Sequence, residues 1–180
     1  MPTIQDSIGK LKEAKQVRWY VAYTKSRWEK KVEKQLNEIG IYTYLPIQRT
    51  IKHWSDRQKI VEEVFFKSYI FINTNLKGYY HASGTNGLMY FLKTEGKPVE
   101  LKDSEIDLIR KVTSCKFKAV VAPKKISIGD NVIITKGCLK GILGILVQFR
   151  GKQRVAVALE SIEMVMLVEL PLNYIEKVNK

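Results

Sequence analysis

Two histidines, two cysteines and eighteen acidic residues are the groups in this 180-residue chain that could support acid–base, nucleophilic or metal chemistry. Neither His53 nor His81 has a cysteine or carboxylate at metal-ligand spacing, so no metal site is expected. His53, beside Trp54 near a hairpin, reads as a solvated strand residue. Cys115 and Cys138 stand in unrelated settings, which is no disulfide framework and no metal cluster and fits a reducing cytoplasm. Cys138 lies inside a run of glycines, where a small packing residue is the better reading than a nucleophile. No serine occupies a nucleophile elbow. Neither G-x-x-x-x-G-K-[ST] nor G-x-G-x-x-G occurs, so phosphate-loop and dinucleotide readings fail and no cofactor is implied. These residues point away from an enzyme.

Charge points toward binding. Thirty-one Lys and Arg leave a formal net charge of +13, and such an excess favours polyanions by displacing counterions from phosphates. The excess is uneven: residues 1–60 hold 13 basic and 6 acidic residues, whereas residues 61–120 hold 9 and 7. At 45% hydrophobic and 27% charged, the composition is that of a globular protein able to build a core. No stretch reaches the ~18 uninterrupted apolar residues of a membrane span. Met1 to Arg18 is polar and lysine-rich and does not read as a secretory signal.

The elements that must position any site follow from periodicity. Residues 1–16 lack a period and read as a mobile tail. Arg18 to Thr24 is aromatic and branched, as a buried strand should be. Ser26-Arg27-Trp28-Glu29 has the form of a capping box opening a helix, with Val32, Leu36 and Ile39 on its buried face and Gly40 at its C′ end. Lys30, Lys31, Lys34 and Glu38 form the opposite, mostly basic face. Tyr42 to Leu45 and Ile47 to Trp54 read as strands, Ser55 to Lys59 as a hairpin tip, and Ile60 to Phe66 and Tyr69 to Asn73 as further strands. A short helix is expected around Tyr79 to Ala82, a turn at Gly84 to Gly87 and a last strand at Met89 to Lys93. Asp103 or Ser104 then caps a helix that buries Ile106, Ile109 and Val112. Residues 114–125 lose the period and read as a linker. Beyond them, Gly129, Gly137, Gly141, Gly144 and Gly151 punctuate short branched runs, the pattern of a small β-barrel. The expectation is therefore a tail (1–16), an α+β domain (17–113), a linker (114–125) and an all-β domain (126–180).

Two groups of motifs carry a resemblance. Ile128-Gly129-Asp130-Asn131-Val132, followed by Gly137, Gly141 and Gly144, resembles a KOW motif, whose glycines serve tight strand approach rather than a ligand. Trp19 to Thr24, Glu29, Leu45-Pro46, Phe65 to Ile72 and Gly84 to Phe91 occur in the order found in the NusG N-terminal (NGN) domain. Together they resemble the NusG family of transcription elongation factors over about residues 17–178. The implied fold is α+β: an NGN domain with an antiparallel sheet flanked by helices, then a small SH3-like KOW barrel. Lys67-Ser68 stands where the family usually has Pro-Gly or Pro-Asn, and Asn86 where proline is common. These departures are more similar to specialised paralogues of the RfaH or UpxY kind, which implies capsular polysaccharide operons as a target class.

The resemblance also implies a mechanism and partners. One apolar face of the first domain grips the coiled coil of the RNA polymerase clamp, and by motif its candidates are Tyr23, Phe66, Tyr69 and Phe71. Alternation along Phe65 to Phe71 sends neighbours to opposite faces, so some of these must be core; Phe66 and Tyr23 are the leading pair. Tyr80, His81, Thr85 and Asn86 match segments that face the polymerase cleft and the non-template DNA. Lys25 and Arg27 stand either as phosphate or base contacts or as a solvated helix start. Closing polymerase around the nucleic acid suppresses pausing by a population shift. KOW domains of relatives recruit ribosomal protein S-ten or the termination factor Rho. Here the corresponding loop is Ser161, Ile162, Glu163, Met164, Val165 and Met166, which does not match the housekeeping pattern. Met164 and Met166 read either as an adaptable apolar surface or as core, with one in each role the preferred reading. The rival reading is a ribosome-associated KOW-domain RNA-binding protein, for which the aromatic-rich first domain has no explanation.

Overall fold

In a computed structural model, which describes residues 16–53, 58–124, 129–149 and 152–178, the aromatic run after Val17 forms β1 (Arg18–Thr24). Residues 1–15 of the expected tail, Trp54 of the expected strand, 55–57 of the expected hairpin tip, Lys125 of the expected linker, Ile128 of the glycine motif and Gly151 lie outside the described residues. The described residues fall into two compact units. One comprises those up to Pro46 with Phe66–Asp103; the other comprises Ile47–Phe65 with those from Ser104 onward.

In the first unit β1 pairs antiparallel with β5 (Tyr69–Thr74), β6 (Leu88–Phe91) and β9 (Glu100–Leu101), and β5 also pairs with β2 (Tyr42–Tyr44). The result is a five-stranded sheet. A two-residue period sends Tyr20 and Ala22 of β1, and Ile70 and Ile72 of β5, to one face. There they meet Val32 and Leu36 of α1 (Glu29–Glu38) and Tyr79 and Ala82 of α2 (Leu76–Ser83) in one buried cluster. Burying each large aliphatic side chain stabilises by roughly 1.5–3 kcal/mol, so this cluster is what fixes the sheet's orientation. Lys93–Thr94 (β7) and Lys97–Pro98 (β8) form a small separate hairpin.

The ends of α1 differ from the sequence expectation at one point and agree at another. No side chain caps the helix at Trp28; the Glu29 carboxylate, expected to complete a capping box, instead accepts the backbone N–H of Ser68 at 2.7 Å in a buried setting. Ser68 is held at φ 63, a left-handed conformation more natural to the Gly or Asn usual there. At the other end Ile41 N–H donates to Leu36 and Gly40 N–H to Asn37, a Schellman closure with Gly40 at φ 78. Ile39 falls at the C-cap and is 58% exposed, so it is not on the buried face the spacing suggests. Glu29→Ala is expected to lower stability by about 2 kcal/mol, because it strands the buried Ser68 donor. A urea-melt midpoint unchanged from wild type would count against that account.

The second unit contains the hairpin β3 (Ile47–His53) with β4 (Gln58–Val64), the helix α3 (Asp103–Ser114) and a six-stranded antiparallel sheet. Its strands are β10 (Ala119–Pro123), β11 (Asn131–Ile134), β12 (Leu143–Phe149), β13 (Lys152–Leu159), β14 (Met164–Val168) and β15 (Ile175–Lys177), paired in the order β10-β14-β13-β12-β11-β15. Ala122, Val147, Ala156, Val165 and Leu167 form one of its buried clusters, and α3 buries Ile106, Ile109 and Val112. A Cβ on Gly129 would lie 1.7 Å from the Leu146 carbonyl oxygen, so only glycine permits that strand approach.

Two expectations need correction here. The stretch expected as a linker contains β10, which pairs Ala119 to Pro123 with Val168 to Met164. Its Pro123 is tolerated because β10 is an edge strand. The cysteines are not in unrelated settings: Cys115, just past α3, is disulfide-bonded to Cys138 in the turn after β11. Their 23-residue separation concealed that the end of α3 and that turn meet within the second unit.

Candidate functional site

Three tyrosines come together across the sheet of the first unit. Tyr23 is cross-strand partner to Tyr69 on β5 and to Tyr90 on β6. The Tyr23 ring stacks on Tyr90 at 5.3 Å with 12° between planes, and meets Tyr69 edge-on at 5.3 Å. Such pairs contribute roughly 0.5–1.5 kcal/mol each beyond area burial and hold the rings in place before any partner arrives. Tyr23 and Tyr69 are half-buried and Tyr90 is 56% exposed. Burial pushes the Tyr69 phenol above its usual value, reinforced by Tyr90 and Tyr23, so the group is uncharged at neutral pH.

Tyr20 and Tyr79 are raised as well, both first by burial, and Tyr20 next by the Glu100 carboxylate. A raised folded-state value means that the folded form retains protons that the unfolded chain releases from pH 10 upward. The contribution of these phenols to stability is therefore complete below pH 10 and declines above it. Denaturant melts should show this loss above pH 10, and Tyr69→Phe should reduce its slope; equal slopes would contradict the assignment.

Phe66 and Phe71 do not join this surface. They are 1% and 0% exposed and pack edge-to-face at 5.3 Å. Phe71 shares a strand face with Tyr69, but Phe66 and Tyr44 lie against it. Of the four residues expected to contact a partner, only Tyr23 and Tyr69 have accessible rings. Tyr90, which sequence reasoning placed in a motif but not in the site, supplies the most exposed ring of the cluster; its cross-strand register was the missing signal.

A second group lies where α1 begins. Lys25 N–H donates to Gly87 O at 2.8 Å, tying the residues before α1 to the Thr85–Gly87 turn. The Trp28 ring lies against Gly87, where a Cβ would come within 2.4 Å of it. The ammonium groups of Lys25 and Lys31 sit 5.2 and 4.1 Å from the Trp28 ring centroid, within cation–π range. Arg27 is exposed at φ 63, Asn86 is exposed and Thr85 half-buried. Tyr80, 67% exposed, and His81, also exposed, are on α2, whose end bonds into the same turn through Thr85 N–H and Ala82 O. The structure thus joins Lys25, Arg27, Thr85 and Asn86 in one neighbourhood, with Trp28 as its unanticipated centre.

The loop candidates of the second unit lie at the β13–β14 connection. Ser161 is half-buried, and its N–H and hydroxyl both donate to the Glu105 carboxylate of α3. Ile162, Val165 and Met166 are buried, Met164 is half-buried, and Glu163 is exposed at φ 51. Among the described residues no three His, Cys, Asp or Glu side chains are grouped to hold a metal, and no helix is long and apolar enough to cross a membrane.

An antiparallel-sheet α+β unit carrying an aromatic surface, with a glycine-punctuated antiparallel β-sheet, has the architecture of an NGN unit accompanied by a KOW domain. The family model described as transcription termination factor nusG matches residues 17–110. The chain is 27% identical over 152 residues to the transcription termination/antitermination protein NusG of Chlamydia trachomatis, covering 78% of this chain and 83% of that protein. It is 24% identical to the NusG protein of Rickettsia conorii, with 96% of each chain covered. A solved structure of Thermotoga maritima NusG superposes with a TM-score of 0.59 at 23% identity, covering 92% of this chain and 99% of that one. This chain belongs to the NusG family.

Proposed function

We propose that this protein rides on RNA polymerase in the cytoplasm as a processivity or antitermination factor, gripping the clamp coiled coil through Tyr23, Tyr69 and Tyr90. The observation that supports this most is the pre-stacked tyrosine cluster on the sheet, accessible on Tyr90. Rigid aromatic rings give large contact area with little loss of conformational entropy on binding. In this reading the protein does no chemistry; it biases polymerase toward the closed, elongating state.

Lys25, Arg27, Tyr80, His81, Thr85 and Asn86 face the cleft and the non-template strand, and basic and aromatic side chains together suit a single strand. The Lys67-Ser68 and Asn86 departures favour a specialised paralogue, with capsular polysaccharide operons as targets. The Ser161–Met166 loop would hold a ribosomal protein or another factor. The test is capture of purified bacterial RNA polymerase beside purified ribosomal subunits. Polymerase capture supports the proposal; ribosome capture without polymerase replaces it with a ribosome-associated KOW protein.

A further inference from the structure

We propose that the Cys115–Cys138 bond is a reversible thiol–disulfide tether that fastens the end of α3 to the six-stranded sheet and is opened by small thiols. This inference is independent of what the tyrosine surface binds. Its first support is placement. Cys115 follows α3 directly, its N–H still bonded to Lys111 O and Val112 O, while Cys138 lies in the 3-10 turn Gly137–Leu139. The bond therefore joins a helix to a turn belonging to a different element, with Cα atoms 6.2 Å apart.

The second support is asymmetry of access and charge. Cys115 is 8% exposed, whereas Cys138 is exposed, so a small thiolate can approach the Cys138 sulfur. Exposed Lys116 and Lys118 follow Cys115, and exposed Lys136 and Lys140 flank Cys138, with no carboxylate in residues 115–118 or 136–141. A positive setting favours thiolates and attracts an anionic thiol such as glutathione.

The exchange balances in two steps. A glutathione thiolate attacks Cys138 Sγ, the intramolecular S–S bond breaks, and Cys115 leaves as a thiolate that takes a proton. A second glutathione thiolate then attacks the glutathione sulfur of the mixed disulfide, releasing glutathione disulfide and the Cys138 thiolate. Two thiols of glutathione are oxidised and the protein disulfide is reduced to two thiols; closure is the reverse, with glutathione disulfide as the oxidant.

What the tether controls follows from the other end of α3. There Glu105 accepts the N–H and hydroxyl of Ser161, so α3 is fastened at its start to the β13–β14 loop by hydrogen bonds and at its end to the Gly137–Leu139 turn by the covalent bond. Opening the covalent end leaves Phe117 held by an edge contact to Tyr174 at 5.8 Å and by Gln48 Nε2 donating to its carbonyl at 3.1 Å. The loosened helix then exposes the Ser161 loop more often.

The test uses the full chain equilibrated in glutathione buffers of graded reduced-to-oxidised ratio, quenched with iodoacetamide and read by mass spectrometry. The expected result is a single two-thiol transition, with the mixed disulfide on Cys138. Two freely alkylated cysteines even in the most oxidising buffer would overturn the proposal, as would a bond that no glutathione ratio opens. Hydrogen exchange on the two end states should be faster by about tenfold or more at residues 112–118 and at Ser161 in the reduced form. Identical exchange in both states would overturn the tether. The Cys115→Ser/Cys138→Ser variant, where folded, should exchange like reduced wild type in every buffer; sensitivity to the buffer would also overturn the assignment.

Discussion

Replacing Tyr23 and Tyr90 together by alanine is expected to weaken binding to bacterial RNA polymerase by ~100-fold or more while the fold persists. The estimate rests on two stacked rings acting as paired hot spots, where truncation of a central aromatic commonly removes 2 kcal/mol or more, roughly. Their own stacking contributes only on the order of 1 kcal/mol to the free protein, so the variant should stay folded by circular dichroism. Tyr23→Phe/Tyr90→Phe should keep most of the affinity, because the ring area remains. Phe66→Ala serves as the contrast: it empties a buried site and should cost about 3–5 kcal/mol of stability, losing binding through unfolding. A folded Tyr23→Ala/Tyr90→Ala protein that captures polymerase like wild type would sink the proposed surface.

Gly129→Ala should be among the most disruptive single methyl additions in the second unit. The added Cβ would lie 1.7 Å from Leu146 O and 2.8 Å from Leu146 C, both backbone atoms of β12. No rotamer relieves such a clash, so β12 must move, and with it the bond from Leu146 N–H to Asp130 O. We expect a loss of more than about 3 kcal/mol, read as a large drop in the denaturant midpoint. Gly141→Ala is the matched control: nothing lies within 4 Å, and its φ of 87 alone costs about 1–2 kcal/mol. Equal destabilisation by the two substitutions would mean that backbone conformation, not strand approach, explains the glycines.

Much of the architecture was legible because it rests on local rules. The branched run of β1, the closure of α1 at Gly40, the α3 face of Ile106, Ile109 and Val112, and the glycine-spaced strands each follow from spacing within a few residues. What escaped depends on partners distant in sequence. Ser26-Arg27-Trp28-Glu29 has the composition of a capping box, yet the Glu29 carboxylate bonds more usefully to Ser68, 39 residues away. Residues 114–125 have no helical period, but an edge strand as short as β10 needs only Val120, Val121 and a neighbour to pair with. In the candidate site, Tyr23 and Tyr69 could be named from motif order, while the burial of Phe66 and Phe71 and the contribution of Tyr90 needed the register of three strands. The disulfide was the least legible, since chain spacing carries no sign of it.

The second unit is discontinuous: the β3–β4 hairpin precedes by nearly forty residues the helix and sheet with which it groups. During synthesis the hairpin leaves the ribosome first and must wait, at about 5–20 residues per second, for several seconds before residues from Ser104 onward follow. A lone two-stranded hairpin is marginal in water, so for that interval its stability rests on local pairing such as Arg49 with Glu62. The order of synthesis thus lets the tyrosine-bearing unit mature while its companion is still incomplete. A chain released at residue 103 would carry all three tyrosines of the sheet and none of the strands β10 to β15.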